Sequence, residues 1–391
     1  MNDTNSAKII LSLGTAICIV IGSSVCVNGT QIIEEIDSGN LFYNPSIVIN
    51  NNNEPTICYE DIAGSLIFIS KTENGWDKTV IDNMGGKPFR TSLDVDNKRN
   101  PHISYTVQDI GLKYAIRSGI NWTTIVIEHG NLGGSSLVLD SDGYPHICYI
   151  DWTNSSLKYT KWTGSSWQIE TVESFDNDTD IWYTHLEIDT EDNPHIIYSY
   201  KVGGPEEDCN IRYAYWNNTD WNIETIASSS NDDPVSFCLD SNNRPNLILW
   251  IGSFRYAVKS NEGWQIESVP SAISYTPVDS LAINSKGKPI FCYFDSENKT
   301  IKSAIKIEGD WQITDIYESH DNSLGEYVNL YHSLDLSDNH YILLEDLVYF
   351  NLIYLYVSSS DHNFPVLHIT AIVLITIAII STFIMYRYHK R

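Results

Sequence analysis

One segment is written over and over along this chain. The stretches "SIVINNNNEPTICYED" from Ser46, "SLDVDNKRNPHISYTV" from Ser92 and "SLVLDSDGYPHICYID" from Ser136 share a common form. So do "HLEIDTEDNPHIIYSY" from His185, "SFCLDSNNRPNLILWI" from Ser236 and "SLAINSKGKPIFCYFD" from Ser280. In each, a proline follows nine residues after the first position: Pro55, Pro101, Pro145, Pro194, Pro245 and Pro289. A seventh, degenerate copy, "SLDLSDNHYILLED", starts at Ser333, and copies recur every 44 to 53 residues. A fixed period of this length is the signature of a repeat architecture, in which each unit buries its apolar faces against its neighbours.

The second half of each unit repeats as well, as in "SLKYTKWTGSSWQIETV" and "NIRYAYWNNTDWNIETI". Every unit therefore holds four short segments of alternating apolar residues split by Gly, Asn, Asp or Pro, the period-two signal of strands. We label them a (Ser-Leu-x-Leu), b (Pro-His-Ile-x-Tyr), c (Leu-Lys-Tyr-Ala) and d (Trp-x-Ile-Glu-Thr-Val). Four strands per unit predict propeller blades, and the fold class is all-β, a seven-bladed β-propeller. The seventh copy has strands a, b and c, the last being "LIYLYV" (352–357), but no d strand. "TQIIEEI" (30–36) resembles strand d and stands before the first copy, so the ring is expected to close with one strand from each end of the chain. Closure removes the open edges that an arc of blades exposes. No linker divides residues 30–357, so one domain is expected there.

The Pro-His-Ile-x-Tyr / Leu-Lys-Tyr-Ala / Gly-x-x-Trp-x-x-Glu-Thr-Val unit resembles a repeat of surface-protein β-propellers of archaea and bacteria, placed near the sialidase-like and fucose-lectin-like propellers. The resemblance implies a surface location and a choice among lectins, hydrolases, lyases and adhesion platforms, since one fold hosts many activities. The chain departs from the sialidase pattern in its Asp-Gly turn, which lies between strands a and b instead of c and d. Arg212 and Arg255 share one repeat position with Lys113, Lys158 and Lys302, so they are expected to be repeat residues and not part of a catalytic arginine triad.

The two ends of the chain speak to location. Residues 1–27 are expected to be a signal peptide or N-terminal anchor, with an apolar run from Ile9 and small residues Gly22, Ser23 and Ser24 near its end. Residues 358–365 form a short linker. Residues 366–386 carry no Lys, Arg, Asp or Glu and are long enough for a transmembrane helix. The tail "RYHKR" (387–391) is basic, which places it in the cytoplasm and the propeller outside the cell membrane as a single-pass protein. Within residues 28–365 six N-x-[ST] sequons, at Asn28, Asn121, Asn154, Asn177, Asn217 and Asn298, are glycosylation candidates. The net charge of −26 excludes nucleic acid as a natural partner.

Most residues that look chemical recur with the repeat. His102, His146 and His195 hold one position of strand b, so packed, hydrogen-bonded strand residues are expected. Cys58, Cys148 and Cys292 also share a position, in blades too far apart for bridging. Only Cys209 and Cys238 remain as a possible pair. No Cys-x-x-Cys or His-x-x-x-His spacing exists, so no metal site is expected. The paired aspartates of the a–b turns faintly resemble a calcium loop but suit tight turns directly, so no cofactor is assigned. The Trp that opens strand d is expected to pack between blades. Trp152, Trp182 and Trp250 do not follow the repeat.

Loop lengths separate the two faces of the ring. The a–b and c–d loops are short and uniform, whereas the b–c and d–a loops vary, and variable loops on a rigid scaffold carry binding. Those around blades three and four supply the candidate ligand-binding residues Asp151, Trp152, Asp176, Asp180, Trp182, Tyr183 and Glu207. Carboxylates beside exposed aromatic rings suit a sugar or a cation. No catalytic residue is assigned. The first functional reading is a membrane-anchored recognition or adhesion propeller, lectin-like toward an extracellular glycan or protein. A glycan-processing hydrolase or lyase, and a non-catalytic structural envelope component, stand as alternatives.

Overall fold

Each repeat folds into one antiparallel sheet whose four strands follow in chain order. The computed structural model describes residues 19–20, 24–26, 31–38, 42–83, 88–176, 178–203, 209–229, 232–270, 280–318, 324 and 328–359. Blade three shows the pattern: strand a is Leu132–Leu139, b is Pro145–Asp151, c is Ser156–Trp162 and d is Trp167–Ser174. Strands a and b are almost wholly buried and strand d is mostly exposed, so a lines the centre of the ring and d its rim. Strand a of each blade touches strand a of the next. Blade seven (Val328–Leu334) meets blade one (Phe42–Ile49) and closes the circle.

The closure is the one expected. Gln31–Ser38 pairs antiparallel with Asn351–Val357, from Gln31↔Val357 to Ser38↔Asn351, and serves as strand d of blade seven. Two short strands, Ile19–Val20 and Ser24–Cys26, continue that sheet outward. Val357 lies opposite both Gln31 and His340, the residue that opens strand b, so both ends of the propeller leave from the short-loop face. Ser359, the second residue of the linker, lies there, its N–H donating to Asn339 Oδ1 at 2.9 Å. The apolar segment 366–386 lies outside the described residues. Among these no helix is long and apolar enough to cross a membrane.

The a–b turns explain why aspartate and glycine recur. Asp140 Oδ1 accepts the N–H groups of Asp142 (3.0 Å) and Tyr144 (2.7 Å), and Asp96, Asp189, Asp240 and Asp335 bind their own turns in the same way. The third residue after each lies in the left-handed region: Arg99, Gly143, Asp192, Asn243 and Asp338. Gly143, at φ 81°, adopts it without steric cost. The carboxylates thus serve turns, as expected. They also correct the register of the seventh copy. Asp335 takes the place of Asp96, so Tyr331 and not Ser333 occupies the repeat's serine position, and the copy begins two residues earlier than the sequence pattern suggests.

Neighbouring blades are joined by two repeated contacts. The d-strand tryptophan packs edge-on against an aromatic ring of the preceding blade's c strand: Trp122 on Phe68, Trp167 on Tyr114, Trp221 on Tyr159, Trp264 on Tyr213 and Trp311 on Tyr256. A carboxylate on strand d of one blade receives a tyrosine hydroxyl and a cation from the next: Asp82 from Tyr105 and Lys113, Glu128 from Tyr149 and Lys158, Glu173 from Tyr198 and Arg212. Arg212 is therefore a blade-joining residue at the lysine position. The seam obeys the same rules. Trp76 packs on Tyr354 and donates to Glu34, and Tyr59 donates to Asp37, both carboxylates lying on the N-terminal strand.

Candidate functional site

The three repeated histidines are structural, as their periodicity implied. His146 Nδ1 lies 2.6 Å from the Tyr159 hydroxyl and Nε2 lies 3.3 Å from Asp140 Oδ2. A carboxylate can only accept, so Nε2 carries the proton and Nδ1 accepts from the tyrosine. His102 and His195 repeat the contact with Tyr114 and Tyr213. Burial pushes all three below the ordinary histidine range, against the pull of the neighbouring aspartates, and so favours the neutral ring. The described cysteines Cys58, Cys148, Cys209, Cys238 and Cys292 carry no disulfide, which resolves the pair that spacing left open.

On the variable face the loops of blades three and four meet. Trp152 Nε1–H donates to the Ile181 carbonyl at 3.1 Å, tying the b–c loop of blade three to strand a of blade four (Thr179–Ile188). Its ring covers Gly133 so closely that an added Cβ would lie 2.2 Å away, which accounts for the glycine in "NLGG". The Gly203 N–H donates to the Asp178 carbonyl at 3.2 Å, which joins the b–c loop of blade four to the d–a loop before it.

Within this meeting point the candidate residues divide by direction. Asp151 is 2% exposed. Its carboxylate accepts from the Thr153 and Asn154 backbones and the Asn154 side chain, with Lys158 Nζ at 3.1 Å. Asp295 and Asp346 hold their own b–c turns in this manner, so Asp151 too occupies a repeat position. The hydrogen bonds and the nearby ammonium outweigh desolvation and keep its carboxyl below the usual range. Tyr183 is buried, with the Arg90 guanidinium 4.8 Å above its ring. Trp152 is half-buried. Asp176, Asp178, Asp180 and Trp182 face outward, Trp182 at 38% exposure. Asp180 and Trp182 stand two apart at the exposed end of one strand, and Lys201, paired with Asp180 in the ladder, places Nζ 5.5 Å from the Trp182 ring centre. Glu207 lies outside the described residues, as do the sequon residues Asn28 and Asn177. Asn121, Asn154, Asn217 and Asn298 are exposed. Trp250 packs edge-on against Phe254.

A concavity of about 220 Å³ opens on the opposite face between blades five and six, lined in part by Arg244, Tyr256, Lys288 and Lys306. Its charge is largely matched already, Arg244 by Asp240 and Lys306 by Glu267, so it has less to offer a ligand than the outward ring and carboxylates above.

Sequence spacing concealed one constellation. Cys292 in strand b of blade six (Pro289–Asp295), His332 in strand a of blade seven and His340 at the start of its strand b come together in the interior. The available signal was a break in periodicity: His340 replaces the proline that opens strand b in the other six blades.

The chain is thus a seven-bladed β-propeller whose variable face gathers acidic and aromatic side chains. It is similar to the polysaccharide lyase Uly1, with a TM-score of 0.50 at 9% identity over 89% of this chain and 91% of that one. It is similar also to AofleA from Arthrobotrys oligospora (0.46, 12% identity, 75% and 92% covered). A third solved structure is the Aleuria aurantia lectin AAL in complex with Fucalpha1-6GlcNAc (0.46, 13% identity, 73% and 100% covered). Propellers of fucose-binding lectins and of a polysaccharide lyase therefore stand among its structural neighbours, and at these identities the likeness concerns the fold. No family model and no curated protein matches the chain.

Proposed function

We propose that this protein is a membrane-anchored cell-surface recognition propeller that binds an extracellular glycan in a lectin-like manner through the variable face of blades three and four. The observation that carries the reading is Trp182, a large ring held outward on a strand, with Asp176, Asp178 and Asp180 exposed just before it in the same loop and strand. A sugar offers an apolar C–H face and a rim of hydroxyls. The ring supplies a stacking platform and the carboxylates supply acceptors, the combination that small polar ligands require. Anchoring by residues 366–386 with a cytoplasmic basic tail completes the proposal. It rests on the charge-free apolar run and on the exit of both propeller ends from the short-loop face, which turns the variable face away from the bilayer.

The test is a glycan array probed with the detergent-solubilised full chain, followed by a turnover assay on each hit. Trp182→Ala is expected to weaken binding about tenfold or more while leaving Tm unchanged, because the ring is a surface group. Undiminished binding by that variant moves the site elsewhere, and bond cleavage in any hit replaces the lectin reading with an enzymatic one.

A further inference from the structure

The cluster between blades six and seven is built from departures from the repeat. At the junctions of blades one–two and three–four, the equivalent cysteines pack in apolar clusters with Leu93 and Leu186 of the following blade, and their thiols hydrogen-bond Thr91 and Thr184. At the blade six–seven junction His332 stands in the leucine column, and His340 in the proline column. Two imidazoles thus replace a leucine and a proline beside one buried thiol. Burying polar rings where the other blades bury hydrocarbon is unfavourable unless their nitrogens are hydrogen-bonded or coordinated.

The geometry states what they suit. His332 Nε2 lies 3.0 Å from His340 Nδ1, and Cys292 Sγ lies 3.6 Å from that same nitrogen. All three ligand atoms fall within 4.8 Å of one another. Around a tetrahedral zinc ion, with bonds of about 2.0 Å to nitrogen and about 2.3 Å to sulfur, neighbouring ligand atoms are spaced roughly 3.3–3.6 Å apart. His332 Nδ1 lies 2.9 Å from the Ser280 carbonyl, which can only accept, so Nδ1 carries the proton and Nε2 turns its lone pair toward the cluster. A backbone carbonyl fixing the far nitrogen of a ligating histidine is the usual support of a metal site. A thiol with two imidazoles selects a thiophilic, borderline ion over calcium or magnesium. We infer that Cys292, His332 and His340 form a structural Zn²⁺ site that staples blade six to blade seven. The ion would displace the Cys292 thiol proton to solvent and take a thiolate and two neutral imidazoles as ligands. It would reinforce the blade that is assembled from both ends of the chain, beside the seam.

The full chain, stripped with a chelator and dialysed against Zn²⁺, should retain one zinc ion per molecule by elemental analysis and gain thermal stability from it. His332→Leu installs the leucine that blades two, three, four and six carry at this place. It should fold, with a metal-free Tm at or above that of the parent, and hold no zinc. Co²⁺ in the parent chain should give a near-ultraviolet sulfur-to-cobalt charge-transfer band that is lost in Cys292→Ser. A parent chain that retains no zinc, or zinc retained undiminished by both variants, overturns the assignment.

Discussion

Deleting residues through Ser38 should cost the protein its folded ring, with a fall in Tm of more than about 10 °C and loss of the monomer on size exclusion. The removed segment is small, but among the described residues it alone supplies the d strand of blade seven. Without it the strand Asn351–Val357 presents an unpaired edge, an invitation to intermolecular pairing. Blade one loses its neighbour's contacts together: Trp76 and Lys71 on Glu34, and Tyr59 and Lys78 on Asp37. Ile33 packs on the cluster of blades six and seven and Ile36 on that of blades seven and one, so apolar burial goes too. At roughly 1.5–3 kcal/mol per buried apolar side chain and about 1 kcal/mol per hydrogen bond, the loss rivals the entire stability of an ordinary domain. The single change Ile33→Asp tests the same seam more gently and should cost about 2–4 kcal/mol. A truncated chain that remains monomeric and melts with the parent would show that the ring does not depend on this strand.

What could be read in advance followed from residues whose physical role is local. Proline at the head of strand b, aspartate and glycine in the a–b turn and tryptophan at the head of strand d each obey a short-range rule. Repeating such rules from blade to blade leaves few architectures available. The closing strand was legible because "TQIIEEI" carries the d-strand pattern without a preceding c strand. Direction was harder. Asp151 and Asp180 both border the variable loops, yet one carboxylate turns inward to its own turn and the other outward, and only the pairing of strands decides which. The Cys292, His332 and His340 cluster was hidden for a different reason. Its members meet across a blade junction, and a shortened seventh copy, aligned on Ser333, shifts His332 out of the leucine column it occupies.

Stability should decline as pH rises from 6.5 to 8, the opposite of what buried histidines and paired aspartates produce. Glu60 and Glu345 hold the same place in strand b of adjacent blades and are 0% and 3% exposed. Elsewhere that place is Thr106, Ile150, Ser199, Trp250 or Phe294. Neither oxygen of Glu60 has a hydrogen-bond partner among the described residues, and desolvation holds its carboxyl well above the ordinary range. Glu345 accepts from Asn329 Nδ2 at 2.9 Å, yet burial still pushes it up from 4.5 to about 7. Above pH 4.5 the unfolded chain has released these protons and the folded chain still holds them. Stability therefore falls with rising pH until the folded groups also ionise, by about 1.4 kcal/mol per pH unit for each. For Glu345 this reaches about 3 kcal/mol by pH 7, and the loss from Glu60 extends further up the scale. The competing groups act at lower pH. His102, His146 and His195 are held below 6.5, so their stabilisation is nearly complete about one pH unit above 6.5 and is lost as the unfolded histidines protonate below it. Asp96, Asp189, Asp240, Asp295 and Asp335, with lowered values, lose theirs only as pH falls below 3.8. Between pH 6.5 and 8 the two glutamates set the slope. Glu60→Gln and Glu345→Gln keep the shape and remove the charge, so each should raise Tm at pH 8, change it little at pH 5 and flatten the profile, most strongly together. A parent profile already flat across this range, unchanged in the double variant, would mean that water or local opening solvates these carboxylates and that the blade interior is less dry than its packing indicates.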